Sequence, residues 1–469
     1  MQQSMFNVRV PLADRGEVFL MNTLTDAQLI VSDDIAGLLD RLADDPASLA
    51  PERLDSDARE ALVTLTEHGF IVDDRATDRA AIDKFFTDVR EDTSQLRVTV
   101  LTTLQCNFAC DYCFQGDHGD YNKTADRMSP DTSEQVAAWI EQRLDELKPE
   151  KLTITFFGGE PLVNLPALYD LAERAHAMAK ARGVTLLIGI ISNGLLLTEE
   201  LVDRLLPFGL NYVKITLDGD RDTHNRMRPL RGGQGTFDRI IDNIRKVAGK
   251  VRIAVGGNFD TDSVESFPAL LDFLKEQDFG DKLVKVAFKP IIREKQAPKG
   301  LIPLTVVNAS GKPLGGTCMT AAGAGGSSIC DTCSFVDDQM SHLREETKKH
   351  GFPTIDGVHM GPCEIHKKHA YTIGPNGALY ACPGFTGEPS LSTGHIDDRK
   401  ESWRMTAAER FEHLAAWHNC GDCAFIPVCA GGCSVASHTE LGDMNTPTCH
   451  KPAFESALIA LAHETASIV

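Results

Sequence analysis

The chain has 469 residues, a net charge of −20 at neutral pH, 42% hydrophobic and 24% charged residues, the proportions of an ordinary soluble globular protein of about three domains. That acidity, with no basic stripe to offset it, excludes a phosphate backbone and so predicts no nucleic-acid partner. No apolar run approaches the roughly 20 residues needed to cross a bilayer; with no basic-then-apolar N-terminus, the expectation is a cytoplasmic protein with no membrane partner.

In chain order, residues 6–10, 18–21 and 27–31 read as short strands separated by turns. Ser32, Asp33 and Asp34 offer N-caps for a helix with Ile35, Leu38, Leu39 and Leu42 on one face. A second helix over 59–68 closes at Gly69, an extended stretch follows at 70–72, and the charged segment 73–94 reads as a helical linker. From residue 96 strands and helices alternate. Strands are expected at 96–101, 152–157, 186–191, 212–217, 251–255 and 283–288, with helices at 133–146, 165–182, 199–206, 237–247 and 267–277. Such a βα repeat with short loops is an α/β fold whose parallel sheet closes, wholly or partly, into a barrel. Barrels of this kind carry their chemistry on loops at the C-terminal strand ends. The boundaries read as 1–75, a linker 76–95, the barrel 96–290, a less regular bridge 291–360 and a cysteine-dense region 361–469.

The thirteen cysteines are clustered, and in a reducing compartment that pattern indicates metal ligands before disulfides. After the first barrel strand come Cys106, Cys110 and Cys113, spaced C-x3-C-x2-C. Three thiolates can each hold one corner of a cubane cluster and leave the fourth iron open, whereas a structural zinc site wants four ligands. Phe157-Gly158-Gly159-Glu160-Pro161 ends the second strand, Ser192-Asn193-Gly194 follows the third, and Thr216-Leu217-Asp218-Gly219 follows the fourth, with Arg226 and Arg228 soon after. Glycines let a backbone approach a ligand closely, and a carboxylate suits an ammonium. The two arginines also read as a solvated loop pair.

Over residues 96–288 these motifs resemble the radical S-adenosylmethionine (SAM) superfamily. The resemblance implies a [4Fe–4S] cluster on Cys106, Cys110 and Cys113 whose open iron is chelated by SAM and whose electron yields a 5′-deoxyadenosyl radical. It implies Tyr112 against the adenine, and Gly158, Gly159, Glu160 and Pro161 at the amino group. Ser192 and Asn193 would lie near the ribose and carboxylate, and Thr216, Asp218 and Arg228 would also contact SAM. Asn258 is a weaker candidate.

Further on, Cys363, Gly377 and Cys382 precede Cys420-x2-Cys423-x5-Cys429-x3-Cys433 and Cys449. A zinc ribbon is one reading of such pairs; the whole set resembles the SPASM domain. The resemblance implies two auxiliary [4Fe–4S] clusters, making three with the SAM-binding one. Cys420, Cys423, Cys429 and Cys449 would hold the outer cluster, and Cys363, Cys382 and Cys433 the inner, one ligand short. Cys318, Cys330 and Cys333 are candidates for that ligand, unless the position stays open for a substrate thiol. His366 and His369, flanked by Lys367 and Lys368, read as a solvated segment rather than metal ligands.

SPASM enzymes mostly modify peptides, and the first 75 residues resemble the winged-helix recognition element of peptide-natural-product maturases, which adds a leader peptide to its sheet edge. A simple N-terminal cap is the plainer alternative. The implied partners are a precursor peptide with a leader and an electron donor such as flavodoxin or ferredoxin. The implied reaction is a cross-link, thioether first and carbon–carbon next. One rival is an anaerobic sulfatase maturase, but such enzymes carry an aspartate after the second SPASM cysteine, where this chain has Pro383. Another is a non-catalytic iron–sulfur electron carrier.

Overall fold

Apolar side chains at every second position of six segments set the architecture of the computed structural model, which describes residues 1–44, 54–113, 115, 125–292, 331–355, 357–358, 361–397 and 414–468. The chain begins with β1 (Gln2–Gln3), β2 (Asn7–Leu12), β3 (Glu17–Asn22) and β4 (Ala27–Ser32); β2, β3 and β4 form an antiparallel sheet with Arg9 opposite Leu20 and Leu20 opposite Leu29. Helix α1 (Asp33–Asp44) buries Leu38, Leu39 and Leu42 on one face, as its spacing requires. Helix α2 (Ser56–Glu67) starts where the Asp55 side chain accepts the Ala58 N–H. β5 (Ile71–Val72) then pairs antiparallel with β1.

Helix α3 (Arg75–Glu91) occupies the expected linker, yet it is more than a tether. It buries Ile82 and Phe86, and Phe86 stacks on Trp417 with ring centroids 3.8 Å apart. His366 joins the same cluster, 6.0 Å from Phe86 and 5.7 Å from Trp417. The expectation of a solvated His366 and His369 is therefore corrected: both are buried, because α3 and the Trp417 segment cover this stretch.

The barrel runs β6 (Gln95–Thr103), α4 (Pro130–Leu147), β7 (Lys151–Gly158), α5 (Leu165–Arg182), β8 (Thr185–Ser192), α6 (Glu199–Leu205), β9 (Leu210–Thr216), α7 (Arg221–Met227), α8 (Phe237–Val247), β10 (Arg252–Phe259), α9 (Phe267–Glu276) and β11 (Leu283–Pro290). The strands are parallel and adjacent in chain order. Val98, Val100, Ile154, Phe156, Ile188, Ile190, Val213, Ile215, Ile253 and Val255 are buried in the main core with the helices, each contributing about 1.5–3 kcal/mol. The alternate residues face the opposite side, the lumen. There Tyr212 lies across Gly189, where a Cβ would meet its ring at 2.3 Å, with its hydroxyl 3.2 Å from the Thr155 hydroxyl.

Beyond β11, α10 (Asp331–Lys349) packs along that strand. The cysteine-dense region then returns to the same sheet. β12 (Ala370–Ile373) lies parallel to β6, with Ala370 opposite Arg97, and β13 (Ala378–Tyr380) and β14 (Gly394–His395) extend it. Helices α11 (Ser434–Leu441) and α12 (Lys451–Ile468) follow, and α12 buries Ala457, Leu458 and Ala462 against Val10, Leu12, Phe19 and Met21 of the N-terminal sheet. Among the described residues no helix is long and apolar enough to cross a membrane.

Candidate active site

Cys106, Cys110 and Cys113 lie on the loop that leaves the C-terminal end of β6. The backbone fixes this loop to its neighbours. Ala109 N–H donates to the Pro229 carbonyl at 2.9 Å, and Phe108 N–H donates to the Cys106 sulfur at 3.4 Å. Burial pushes the Cys106 thiol up to about 12 and Cys110 to about 11, with Glu160 raising the first further and the neighbouring thiols acting on both. Thiols so placed stay protonated alone and give up their protons to a bound metal. Three such sulfurs on one loop fit a cubane's donor set. Among the described residues no three His, Cys, Asp or Glu side chains are grouped as for a single metal ion.

The Gly158–Pro161 segment crosses directly beneath this loop. Gly159 N–H donates to the Thr103 carbonyl at 3.0 Å and Glu160 N–H to the Gln105 carbonyl at 2.9 Å. Gly158 adopts φ +131°, and a Cβ there would sit 2.2 Å from the Thr103 oxygen, so only glycine passes. Glu160 is fully buried; its Oε1 accepts from Leu162 N–H at 3.0 Å and the Ser192 hydroxyl at 2.9 Å, and its Oε2 from Asn193 N–H at 2.8 Å. Burial raises its carboxyl to about 6 against these bonds. The glutamate thus ties the end of β7 to the end of β8. Asn193 continues the chain of contacts by donating to the Asn107 Oδ1 at 2.8 Å.

A second buried network joins the ends of β9 and β10. The Tyr112 hydroxyl donates to Asp218, and Arg228 donates to Tyr112. Arg228 lies 3.4 Å from Asp218, which accepts the Asn258 N–H at 2.7 Å; Asn258 Nδ2 also reaches the Tyr112 hydroxyl at 3.2 Å. Burial and the Asp218 charge push the Tyr112 phenol up. His224 supports the network from α7: its Nδ1 accepts Asp218 N–H at 3.1 Å, and burial holds its imidazole neutral by pushing its pKa down. The two arginines part company. Arg228 is almost wholly buried, which removes it from the solvated-pair reading, while Arg226 is exposed on the rim of a cavity of about 330 Å³ lined by Asp111, Met227, Asp260 and Asp262.

Thr216 is the last residue of β9, with Gly256 opposite it. Asn107 and His224 were not among the sequence candidates; Asn107 sits inside the cysteine motif, where its position was the available signal.

The C-terminal cysteines separate into two groups. The Cys449 sulfur lies close enough to raise the proton affinity of Cys420, Cys423 and Cys429, and the Cys433 sulfur does the same to Cys363 and Cys382. Burial pushes Cys382 and Cys429 up to about 12, and the Lys289 ammonium opposes this at Cys382. Donor sets of four and of three thiols fit two further cubanes. Cys318 and Cys330 lie outside the described residues; Cys333 falls on α10, its side chain outside them.

Residues 100–274 match the model of the radical SAM superfamily. Among curated relatives, the Fe-coproporphyrin III synthase of Methanosarcina barkeri is 27% identical over 40% of this chain and 42% of its own length. The pre-heme d1 synthase of Dinoroseobacter shibae is 29% identical over 30% of this chain and 31% of its own, so the chain spans well under half of these first relatives. A cysteine-type anaerobic sulfatase-maturating enzyme of Clostridium novyi is 22% identical over 70% of this chain and 84% of its own length. The solved structure of native anSMEcpe with bound AdoMet shares the fold, with a TM-score of 0.58 at 15% identity over 79% of this chain and all of that one. The barrel at the centre of this chain is, over residues 100–274, a radical SAM domain.

Proposed function

We propose that the chain is a SPASM-type peptide maturase that removes a hydrogen atom from a ribosomally made precursor and installs a cross-link, thioether first and carbon–carbon next. SAM bound at the Cys106–Cys113 cluster supplies a carbon radical able to take that atom. The protein's own part is positioning. Glu160 with the Ser192–Asn193 turn would receive SAM's ammonium, and the Tyr112–Asp218–Arg228 network would hold its adenosine and carboxylate side while excluding water.

The observation that carries the reading is the second thiol group beside the barrel mouth. Cys382, with Cys363 and Cys433, feels the charge of Lys289 at the end of β11. Forming C–S from C–H and S–H removes one hydrogen as an atom and one as a proton, leaving an electron that needs an acceptor. An auxiliary cluster on these cysteines would stand where that electron appears, or would hold the substrate thiolate. Two further facts support a peptide substrate. β4 is an edge strand of the N-terminal sheet, open to pairing with an extended leader. The shared fold also occurs in anSMEcpe with bound AdoMet and the Cp18Cys peptide. A sulfatase-maturase side-chain oxidation is disfavoured by Pro383 after Cys382, which offers no acid–base group.

The test is anaerobic reconstitution with iron and sulfide, then SAM, a strong reductant and a precursor peptide encoded beside the gene. 5′-Deoxyadenosine together with a peptide lighter by two hydrogens supports the reading. Full iron loading without deoxyadenosine sinks it and favours the electron carrier.

A further inference from the structure

The lumen of the barrel contains positive charge that the SAM-contacting residues do not use. On β9, Tyr212, Lys214 and Thr216 alternate with the core residues Val213 and Ile215 and so face inward. On β11, Lys285, Ala287 and Lys289 alternate in the same way with Val286 and Phe288, which pack in the core. Between them β10 presents only Ala254, Gly256 and Asn258, in register with Lys285, Ala287 and Lys289 respectively.

Lys214 uses the gap this creates. It is level with Ala254, yet its side chain leans toward the mouth: a Cβ on Gly256 would lie 2.6 Å from its Cε and 3.3 Å from its Nζ. The lysine therefore crosses the missing side chain of Gly256 and directs its ammonium toward β11. Burial first, then the charges of Lys289 and Lys285, push Lys214 down to about 8. Neither Lys214 nor Lys289 has a carboxylate partner among the described residues, in a protein of net charge −20. Lys214 is partly buried and Lys289 exposed; two ammoniums that repel each other without a carboxylate between them are both stabilised by an anion that binds there.

The position is informative. Lys289 is level with Asn258 of the Tyr112–Asp218–Arg228 network and acts on Cys382 of the inner thiol group. A ligand between Lys214 and Lys289 would lie between the SAM side and the auxiliary side, where a substrate must sit to meet both.

We propose that Lys214 and Lys289 bind a carboxylate of the substrate, the side chain of an aspartate or glutamate in the peptide, and so select acidic residues at or next to the modified position. This rests on the peptide-maturase reading. Gly256 is part of the device, because a side chain there would fill the path that Lys214 takes.

The test uses the anaerobically reconstituted holoenzyme with SAM, dialysed to equilibrium against radiolabelled glutarate or its neutral isostere glutaramide. Wild type is expected to retain glutarate about tenfold more tightly than glutaramide, a preference lost in Lys214→Met. Gly256→Ala keeps the charge but displaces it, and is expected to lose most of the same preference. Equal retention of the two probes by wild type overturns the proposal. So does a parallel loss of SAM affinity in Lys214→Met, which would assign the lysine to SAM. The same samples are offered acetylated Gly-Gly-Glu-Gly-Gly amide and its Gln counterpart. Preference for the Glu peptide that Lys214→Met abolishes supports the whole proposal. Preference for glutarate without any preference between the peptides keeps the anion site and overturns the peptide as its source.

Discussion

Gly159→Ala is the sharpest perturbation the site offers. A methyl group on Gly159 would sit 2.3 Å from the carbonyl oxygen of Gln105 and 2.4 Å from that of Leu104, where ordinary contact begins at 3.4 Å. Each oxygen must then retreat by about 1 Å, since a packed interior has no slack of that size. Both belong to the backbone, and Gln105 is bonded to Cys106, so the first cluster thiol moves with them. Gly159 cannot give way instead, being held to Thr103 at 3.0 Å while Glu160 is held to Gln105 at 2.9 Å. Misplacing a reacting group by 1 Å costs about a hundredfold, and overpacking adds about 1–3 kcal/mol of destabilisation. The assay is the rate of 5′-deoxyadenosine formation by reconstituted protein, with iron content and the electron paramagnetic resonance spectrum of the reduced cluster on the same samples. Gly37→Ala is the control: it lies on α1, with nothing within 4 Å of a new Cβ, and should leave rate and spectrum alone. A Gly159→Ala protein with the wild-type rate and an unshifted spectrum would refute the reasoning.

Asp218→Ala leaves Arg228 and the Asn258 donors without their buried acceptor and is expected to cost about 3–5 kcal/mol; Asp218→Asn, which keeps an acceptor, should cost less, and equal falls in anaerobic Tm would contradict this. Glu160 has its carboxyl raised from 4.5 to about 6, so its protonation contributes stability that is full below about 4.5 and is lost as pH rises through about 6. A SAM ammonium needs the ionised form, so SAM affinity should weaken as pH falls below about 6, by up to about tenfold per unit. Glu160→Gln should bind weakly with no such slope, as titration of SAM binding between pH 5 and 8 would read. Replacing Cys106, Cys110 and Cys113 together should remove about four of about twelve irons and all SAM cleavage. Replacing Cys420 and Cys423 should also lower the iron count but leave the reduced-cluster signal that SAM perturbs.

The alternation of apolar residues made the barrel legible: α5 and α8 have the expected bounds, and β7, β8 and β11 grow only by a residue or two. The motif loops were legible because their cysteines and glycines are chemically marked and strand ends are where a barrel displays them. Other features lacked a local signal. β12 is four residues long and is a strand only because β6 offers it an edge, a fact that lies some 270 positions away in the chain. His366 looks solvated beside Lys367, and only Phe86 and Trp417, brought from distant segments, bury it. Lys214 was legible as a residue of β9 but not as a charge in the lumen, because its course depends on Gly256 having no side chain. Burial of Arg228 likewise follows from Tyr112 and Asp218 converging on it from two other loops.

The seam between β6 and β12 bears on how this protein can be cut. Arg97 N–H donates to the His369 carbonyl at 3.0 Å, and residues 97–100 pair with 370–373. A chain stopped at residue 360 would be left with β6 as a raw margin, its hydrogen-bonding groups open to any passing strand. The strand so exposed is the one that carries the Cys106 loop, so self-association would begin at the cluster it was meant to isolate. Chimeras that exchange the cysteine-rich part between relatives would need the joint to fall after β14, with the first strand and its guest kept from the same parent.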